Sequence, residues 1–87
     1  MIFDELVDMF GNVMGDDFDK NSIKRETDLF QDLGCDSITM LMMGIAIEEK
    51  FDIKLTTDDI GECTTVNDIL LVIERIKKKW LLSFLKK

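Results

Sequence analysis

The sequence contains no histidine and no proline, and only two cysteines occur among its 87 residues. Without histidine, the chain lacks the commonest general base and the commonest metal ligand of proteins. Two cysteines, Cys35 and Cys63, supply neither a disulfide framework nor a cluster of metal ligands. The composition therefore argues against acid–base catalysis by histidine, against a disulfide-stabilised domain and against a structural metal centre.

Long apolar runs are also missing, and no stretch is long enough to cross a bilayer. The first five residues include Asp4 and Glu5, so they do not match the basic start of a signal peptide. We therefore expect a cytoplasmic protein with reduced thiols. Apolar residues make up 46% of the chain, which favours one small folded domain over an acidic disordered tail.

Charge is distributed unevenly along the chain. Residues 1–76 contain all eighteen acids and six bases, a net charge of −12, whereas residues 77–87 contain five bases and no acid. The acidic body is expected to repel nucleic acid and to attract basic protein surfaces. The alternative is that this charge only maintains solubility.

Apolar residues recur at helical spacing in three segments, residues 2–14, 37–51 and 66–79. Thr65 and Asp68 resemble a capping box before the last segment, and Thr56 or Thr57 is suited to cap a short turn over residues 58–62. The pattern predicts an all-α fold, a small bundle of three main helices plus a short fourth. The core residues we predict are Phe3, Leu6, Val7, Phe10, Leu41, Ile45, Phe51, Ile69 and Ile73.

The connection over residues 16–36 is long and polar, and we expect its apolar residues to fold back over one end of the bundle. It also resembles a calcium-binding loop, because acidic or amide residues occupy positions 1, 3, 5 and 12. The match fails at position 6, where Ser22 replaces the usual glycine, and at position 8, where Lys24 replaces an apolar residue. A dedicated calcium sensor is therefore disfavoured. The residues concerned are Asp17, Asp19, Asn21 and Asp28, and the apolar ones are Ile23, Leu29, Phe30 and Leu33.

The second helical segment begins at Ser37, which lies at or beside the N-cap, where serine is preferred. Apolar residues surround this helix more widely than one buried stripe requires, so some of them must be exposed. Met42 is the best candidate. Methionines here either fill gaps in a small core or form an adaptable docking surface. We expect Cys63 to be buried and Cys35 to be the more exposed of the two thiols.

The stretch Asp32-Leu33-Gly34-Cys35-Asp36-Ser37-Ile38, followed in register by Glu48-Glu49-Lys50-Phe51-Asp52-Ile53, carries a further signal. Together with Thr64-Thr65-Val66 it resembles the acyl carrier protein family, over about residues 27–76. The resemblance implies that Ser37 carries a 4′-phosphopantetheine arm, delivered from coenzyme A by a phosphopantetheinyl transferase that uses Mg²⁺.

The same resemblance implies a non-catalytic carrier that holds acyl groups as thioesters, in fatty-acid or specialised acyl or polyketide-type biosynthesis. Asp36 and Ile38 are motif residues for transferase recognition. Acyl-loading and acyl-transfer enzymes would dock on the second helix, where we select Met42, Glu48 and Glu49 as contacts. An aminoacyl or D-alanyl carrier and an unmodified helical interaction module remain alternatives. A monomer is expected.

The C-terminal residues 80–87 extend past the acyl-carrier-like domain, which we assign to residues 1–79. Trp80 and Phe84 continue the apolar stripe of the last helix at helical spacing. This basic and apolar tail either lengthens that helix within its own domain, or contacts an anionic membrane, a partner groove or a second copy.

Overall fold

The computed structural model describes residues 2–15 and 19–85. In those ranges the chain forms four α-helices and one short 3-10 turn and contains no β-strand, which confirms the predicted all-α, acyl-carrier-like bundle. The predicted limits of the first two helices are confirmed, and the last helix continues past residue 79, as expected if the tail lengthens it. The elements are α1 (Ile2–Met14), the 3-10 turn (Lys20–Ser22), α2 (Ser37–Phe51), α3 (Thr57–Gly61) and α4 (Val66–Leu85).

Local hydrogen bonds explain where the short helix α3 and the long helix α4 begin. The Thr56 side chain accepts from the Asp59 backbone N–H at 3.1 Å, and the Asp59 carboxylate accepts from the Thr56 N–H at 2.9 Å. Thr65 and Asp68 exchange the same pair of bonds at 3.2 and 3.0 Å. The Thr65–Asp68 box was predicted and is confirmed, and of the two threonines suited to cap α3 it is Thr56 that does so. Each box satisfies N–H groups that a helix start leaves unpaired.

The long connection between α1 and α2 is held against the start of α4. An isolated antiparallel bridge joins Asp28 to Thr65. On either side of it, the Leu29 N–H donates to the Thr64 carbonyl at 2.8 Å and the Val66 N–H donates to the Thr27 carbonyl at 3.0 Å. These bonds pair backbone groups that would otherwise lie unsatisfied beside the core.

The core lies between α1, α2, α4 and this connection, where Leu29 is fully buried. Phe3 lies only half-buried at its edge, with the Arg25 guanidinium 5.7 Å from the centre of its ring. The prediction of burial is confirmed for Leu6, Val7, Phe10, Phe51, Ile69 and Ile73.

The prediction that Leu41 and Ile45 of α2 belong to the core is wrong, because these side chains are 65% and 53% exposed. The physical reason is that α2 is apolar on nearly every side, so its sequence does not mark which side faces the core. At 100° per residue the centre of the buried face lies about 100° around the helix from Leu41 and about 140° from Ile45. The buried face consists of Met40, Met43, Gly44, Ile47 and Phe51.

Two residues of the first connection also differ from expectation. Phe30 is 43% exposed rather than buried, because the Asp28 carboxylate accepts from the Phe30 and Gln31 N–H groups and forms a turn that directs Phe30 outward. Cys35 is buried rather than exposed, since its N–H donates to the Leu29 carbonyl at 2.9 Å and draws the residue into the core.

The last helix continues six residues beyond the predicted limit at residue 79 and ends at Leu85. Its buried residues end at Ile73, so the later turns are covered little by the rest of the bundle. Among the helices of the described ranges, none combines the length and the apolar character needed to cross a bilayer.

Candidate functional site

Ser37 is the first residue of α2, and its side chain is exposed. The chain arrives there through Gly34, whose φ of +69° is a conformation that glycine adopts at little cost. The buried Cys35 then anchors the segment two residues before the helix begins. In the described part of the chain no group hydrogen-bonds to the Ser37 hydroxyl. A reactive oxygen is therefore presented to solvent at a fixed point.

Asp36, not Ser37, is the N-cap of α2. Its carboxylate oxygen Oδ1 accepts from the Thr39 N–H at 2.8 Å. This hydrogen bond is the main reason that the pKa of Asp36 is lowered from its usual value. Ser37 therefore lies beside the N-cap, one of the two positions predicted for it. The capping role of Asp36 was missed, although aspartate is as good an N-cap as serine.

A groove of about 390 Å³ lies between α2 and α3, and Ser37 is one of the residues that line it. This volume is within the range of small-molecule sites. The helices approach closely at Gly44, where an added Cβ would lie 3.4 Å from Ile60 Cγ1. The lining is mostly apolar, and its apolar side chains include Phe30, Leu41, Ile45, Leu55 and Ile60.

Sequence reasoning missed this groove, although part of its wall was visible in the spacing. Ser37, Leu41, Ile45 and Glu48 follow one another at three or four residues, so they share one side of α2. The opposite wall comes from the first connection and from α3, which are distant in sequence. The apolar residues on the Ser37 side of α2 were the available signal, and they were assigned to the core instead.

The three residues selected for partner docking are placed differently. Met42 is 49% exposed, as predicted, and lies on the same side of α2 as Ile38, which is 70% exposed. Glu49 is exposed two turns beyond Met42 on the same side of α2. Glu48 is half-buried, and its Oε2 accepts from the Leu55 N–H at 2.8 Å, which ties α2 to the connection before α3. The structure thus leaves Met42 and Glu49 on one open face.

Both thiols are buried and free of disulfides. Burial raises the pKa of Cys63 to about 11, and the Asp68 carboxylate adds to the effect. Burial, and then the Asp36 carboxylate, raises the pKa of Cys35 as well. Both thiols are thus protonated at neutral pH, and Cys35 does not compete with Ser37 as a nucleophile.

The structure describes only part of the calcium-loop pattern, because Asp17 lies outside the described residues. The Asn21 N–H donates to the Asp19 carboxylate at 3.0 Å, while Asp28 Oδ1 accepts from two backbone N–H groups of its own turn. Within the described ranges, no three acidic or thiol side chains are arranged to hold a metal ion.

Comparison with known proteins matches this site to a family. Residues 4–73 fit the family model described as "Phosphopantetheine attachment site". The chain is 36% identical to an acyl carrier protein of Phytoplasma mali over 75 residues, 86% of this chain and 87% of that protein. It is 30% identical to an acyl carrier protein of Clostridium acetobutylicum over 74 residues, 85% and 94% of the two chains. A third relative, from Trieres chinensis, is 41% identical over 56 residues, 64% and 70% of the two chains.

The match to a phosphopantetheine attachment site implies that the chain carries a covalently bound 4′-phosphopantetheine. The residues present fit such a group, because an exposed serine hydroxyl stands at a helix N-terminus beside an apolar groove. The family model covers most of the chain, and two of the relatives align with nearly all of it. The chain therefore belongs to the acyl carrier protein family.

Proposed function

We propose that the protein carries acyl groups on a phosphopantetheine arm attached to the Ser37 hydroxyl. The observation that supports this most is the position of Ser37, exposed at the first residue of α2 and lining an apolar groove. The attachment point for the arm and an apolar groove for the cargo thus lie side by side. The arm itself supplies a terminal thiol, which holds an acyl group as a thioester.

The chain contributes electrostatics at the attachment point. A phosphate ester on Ser37 lies at the positive end of the α2 dipole, which favours a negative group there. The Asp36 carboxylate opposes this with like charge. The hydrogen bond from the Thr39 N–H keeps that carboxylate ionised, so its negative charge persists beside the attachment point.

The chain does not supply the base that removes the Ser37 proton. Histidine is absent from the sequence. Asp36 is adjacent, but the lowered pKa of its carboxylate makes it a weak base, and the cap engages one of its oxygens. The base must therefore come from a phosphopantetheinyl transferase acting with coenzyme A and Mg²⁺. On this proposal the chain is the substrate of that enzyme.

The lining of the groove favours an acyl cargo over an aminoacyl or D-alanyl one. Apolar chains gain free energy when apolar walls such as Leu41, Ile45 and Leu55 remove them from water. An ammonium group would lose its hydration there without an acidic partner other than Glu48, which is engaged with Leu55. Fatty-acid synthesis or a specialised acyl pathway is consistent with this preference.

The partner surface we propose is the open side of α2. It holds Ile38 and Met42, two apolar contacts within about two turns of Ser37, and Glu49, a charge about 18 Å further along the helix. An acyl-loading or acyl-transfer enzyme that approaches Ser37 meets this side first. Recognition then depends more on shape and apolar contact than on a dense acidic stripe, and Ile38 and Asp36 would serve transferase recognition at the same end.

A cargo comparison tests acyl carriage. The chain loaded with an octanoyl arm should melt at least several degrees above the chain loaded with an acetyl arm, because even one or two buried methylenes contribute about 0.8 kcal/mol each. About 1 kcal/mol shifts the melting temperature of a domain this size by roughly 4–8 °C. The measurement is thermal unfolding followed by circular dichroism, with a D-alanyl arm as the third sample.

Two neighbouring substitutions provide the control. Leu41→Gln makes the groove wall polar and should remove about half of the octanoyl increment. Met42→Gln changes an exposed side chain that does not line the groove, so the increment should persist. Equal melting of the octanoyl and acetyl forms would contradict an acyl cargo in this groove, and stabilisation by D-alanyl alone would favour the aminoacyl alternative.

A further inference from the structure

The last turns of α4 form a terminal segment, Lys77–Leu85, that is exposed at every residue. At 1.5 Å per residue it extends about 12 Å along the helix axis. The molecule is correspondingly elongated, with extents of 46 × 25 × 21 Å. Large apolar side chains in this segment are among the most exposed of the described chain, with Trp80, Phe84 and Leu85 at 68%, 64% and 68%.

The apolar side chains of the terminal segment lie mainly on one side of the helix. At 100° per residue, Trp80, Leu81, Phe84 and Leu85 span about 140° of its circumference. The rings of Trp80 and Phe84 stack with centroids 6.0 Å apart and planes 14° from parallel. The result is a broad apolar face, which we call the aromatic face.

The other side of the terminal segment is basic. Arg75, Lys78, Lys79, Leu82 and Ser83 line a shallow depression there. Leu82 thus lies on the basic side, about 60° beyond the edge of the aromatic face at Leu85, although it adjoins Leu81 in the sequence. Basic residues on one side and tryptophan, phenylalanine and leucine on the other are the composition of a helix that lies in a lipid interface.

The charge of the terminal segment indicates what kind of surface it can bind. Residues 77–87 contain five lysines and no acid, whereas residues 1–76 have a net charge of −12. Lys77 stays with the body, since its Nζ lies 5.8 Å from the centre of the Phe51 ring. Screening at physiological salt acts over about 8 Å, so the far turns of the segment are largely shielded from the acidic body.

We propose that the terminal segment docks on an anionic lipid surface, with the aromatic face in the interface and Lys78 and Lys79 directed towards the headgroups. Pairing with the same segment of a second copy fits less well. Nine residues are little more than one heptad, whereas helix pairing through heptads needs three or four. Residues 77–87 carry five lysines and no acid, so two copies of the segment also repel each other.

Trp80 makes the proposal directly testable, because it is the only tryptophan of the chain. The full-length protein is titrated with vesicles of phosphatidylcholine containing 30% phosphatidylglycerol, and with vesicles of phosphatidylcholine alone. We expect the Trp80 emission to shift to shorter wavelength with the anionic vesicles only, and brominated lipid to quench it. Added salt should weaken the effect, since each lysine at the surface contributes about fivefold in affinity.

Matched variants separate the two sides of the segment. Leu81→Gln and Leu82→Gln make the same chemical change at adjacent residues that are 51% and 48% exposed. Leu81→Gln should weaken vesicle binding about tenfold, and Leu82→Gln by less than threefold. The double variant Lys78→Gln/Lys79→Gln should weaken binding to anionic vesicles by at least about tenfold.

Three results would overturn the proposal. The first is an unchanged Trp80 emission with anionic vesicles. The second is equal loss of binding in Leu81→Gln and Leu82→Gln. The third is a concentration-dependent blue shift without lipid, together with a dimer in sedimentation velocity, which would identify a second copy as the occupant. All samples are checked by circular dichroism, so that unfolding of a variant is recognised.

Discussion

At the start of α2, two adjacent side chains have separate roles. Asp36 accepts from the Thr39 N–H and begins the helix, which leaves the Ser37 hydroxyl unoccupied and exposed. Sequence reasoning identified Ser37 as the attachment residue through its motif, and that assignment stays a prediction. It assigned Asp36 to recognition only, because a motif shows which residues occur together but not which backbone group each one contacts.

Substitution at Asp36 separates its charge from its capping role. Asp36→Asn keeps a side-chain oxygen for the Thr39 N–H, since asparagine caps helices as well as aspartate. Asp36→Ala removes both the charge and the cap. If the charge serves transferase recognition, we expect both variants to load phosphopantetheine about tenfold more slowly, while only Asp36→Ala melts at a clearly lower temperature.

The measurements are the loading rate by mass spectrometry and thermal unfolding by circular dichroism. Asp36→Asn loading at the rate of the unsubstituted protein would show that the charge is not recognised. In that case Asp36 acts on the site only by placing Ser37.

Carboxylates at helix starts also determine how stability responds to acid. The N–H groups of Thr64 and Thr65 donate to Asp68, and those bonds hold its pKa below the usual value. The Thr56 N–H lowers the pKa of Asp59 in the same way. A lowered folded-state pKa contributes stability that is complete above the unfolded value of about 3.9 and is lost as pH falls through the folded value.

We therefore expect the free energy of unfolding to be nearly constant between about pH 5 and 7 and to fall below about pH 4. Asp68→Asn should lower it at neutral pH and make it less sensitive to acid. Urea unfolding at a series of pH values checks this. A free energy that rises as pH falls from 4 to 3 would contradict the account.

At the scale of the elements, sequence patterns predicted where the helices begin and end better than which of their faces are buried. The limits of α1 and α2, the Thr65–Asp68 box and a threonine cap before α3 were predicted from residues close together in sequence. Which side of α2 is buried depends on how α1, α3 and α4 pack against it. Its apolar residues lie almost all round, so periodicity favoured Leu41 and Ile45, while the structure buries Met43 and Ile47.

Two isoleucines of α2 test this correction with one chemical change. Ile47 is fully buried and Ile45 is 53% exposed. Ile47→Ala should lower the free energy of unfolding by about 2–5 kcal/mol, because it removes buried methylenes and leaves a cavity. Ile45→Ala should change it by less than about 1 kcal/mol, since surface substitutions usually have small effects.

Urea unfolding at neutral pH measures both values. Equal losses in the two variants would mean that Ile45 packs in the core, as its sequence spacing first indicated.

At the scale of the whole molecule, the parts that sequence alone could not supply are those built from distant segments. The groove beside Ser37 needs α2, α3 and the turn at Phe30 to meet, and the burial of Cys35 depends on its bond to Leu29. The uneven charge, in contrast, was evident from composition. In the structure it separates an acidic body from a basic terminal segment that points away from it.

The central claim is that Ser37 receives the phosphopantetheine arm, and intact-mass spectrometry tests it most directly. The protein is incubated with coenzyme A, Mg²⁺ and a broad-specificity phosphopantetheinyl transferase. Ser37→Ala is treated in parallel, and Ser83→Ala controls for the loss of an exposed serine elsewhere. The account predicts a gain of one phosphopantetheine in the unsubstituted protein and in Ser83→Ala, and no gain in Ser37→Ala. A gain that persists in Ser37→Ala, or its absence from the unsubstituted protein with several active transferases, would contradict the claim.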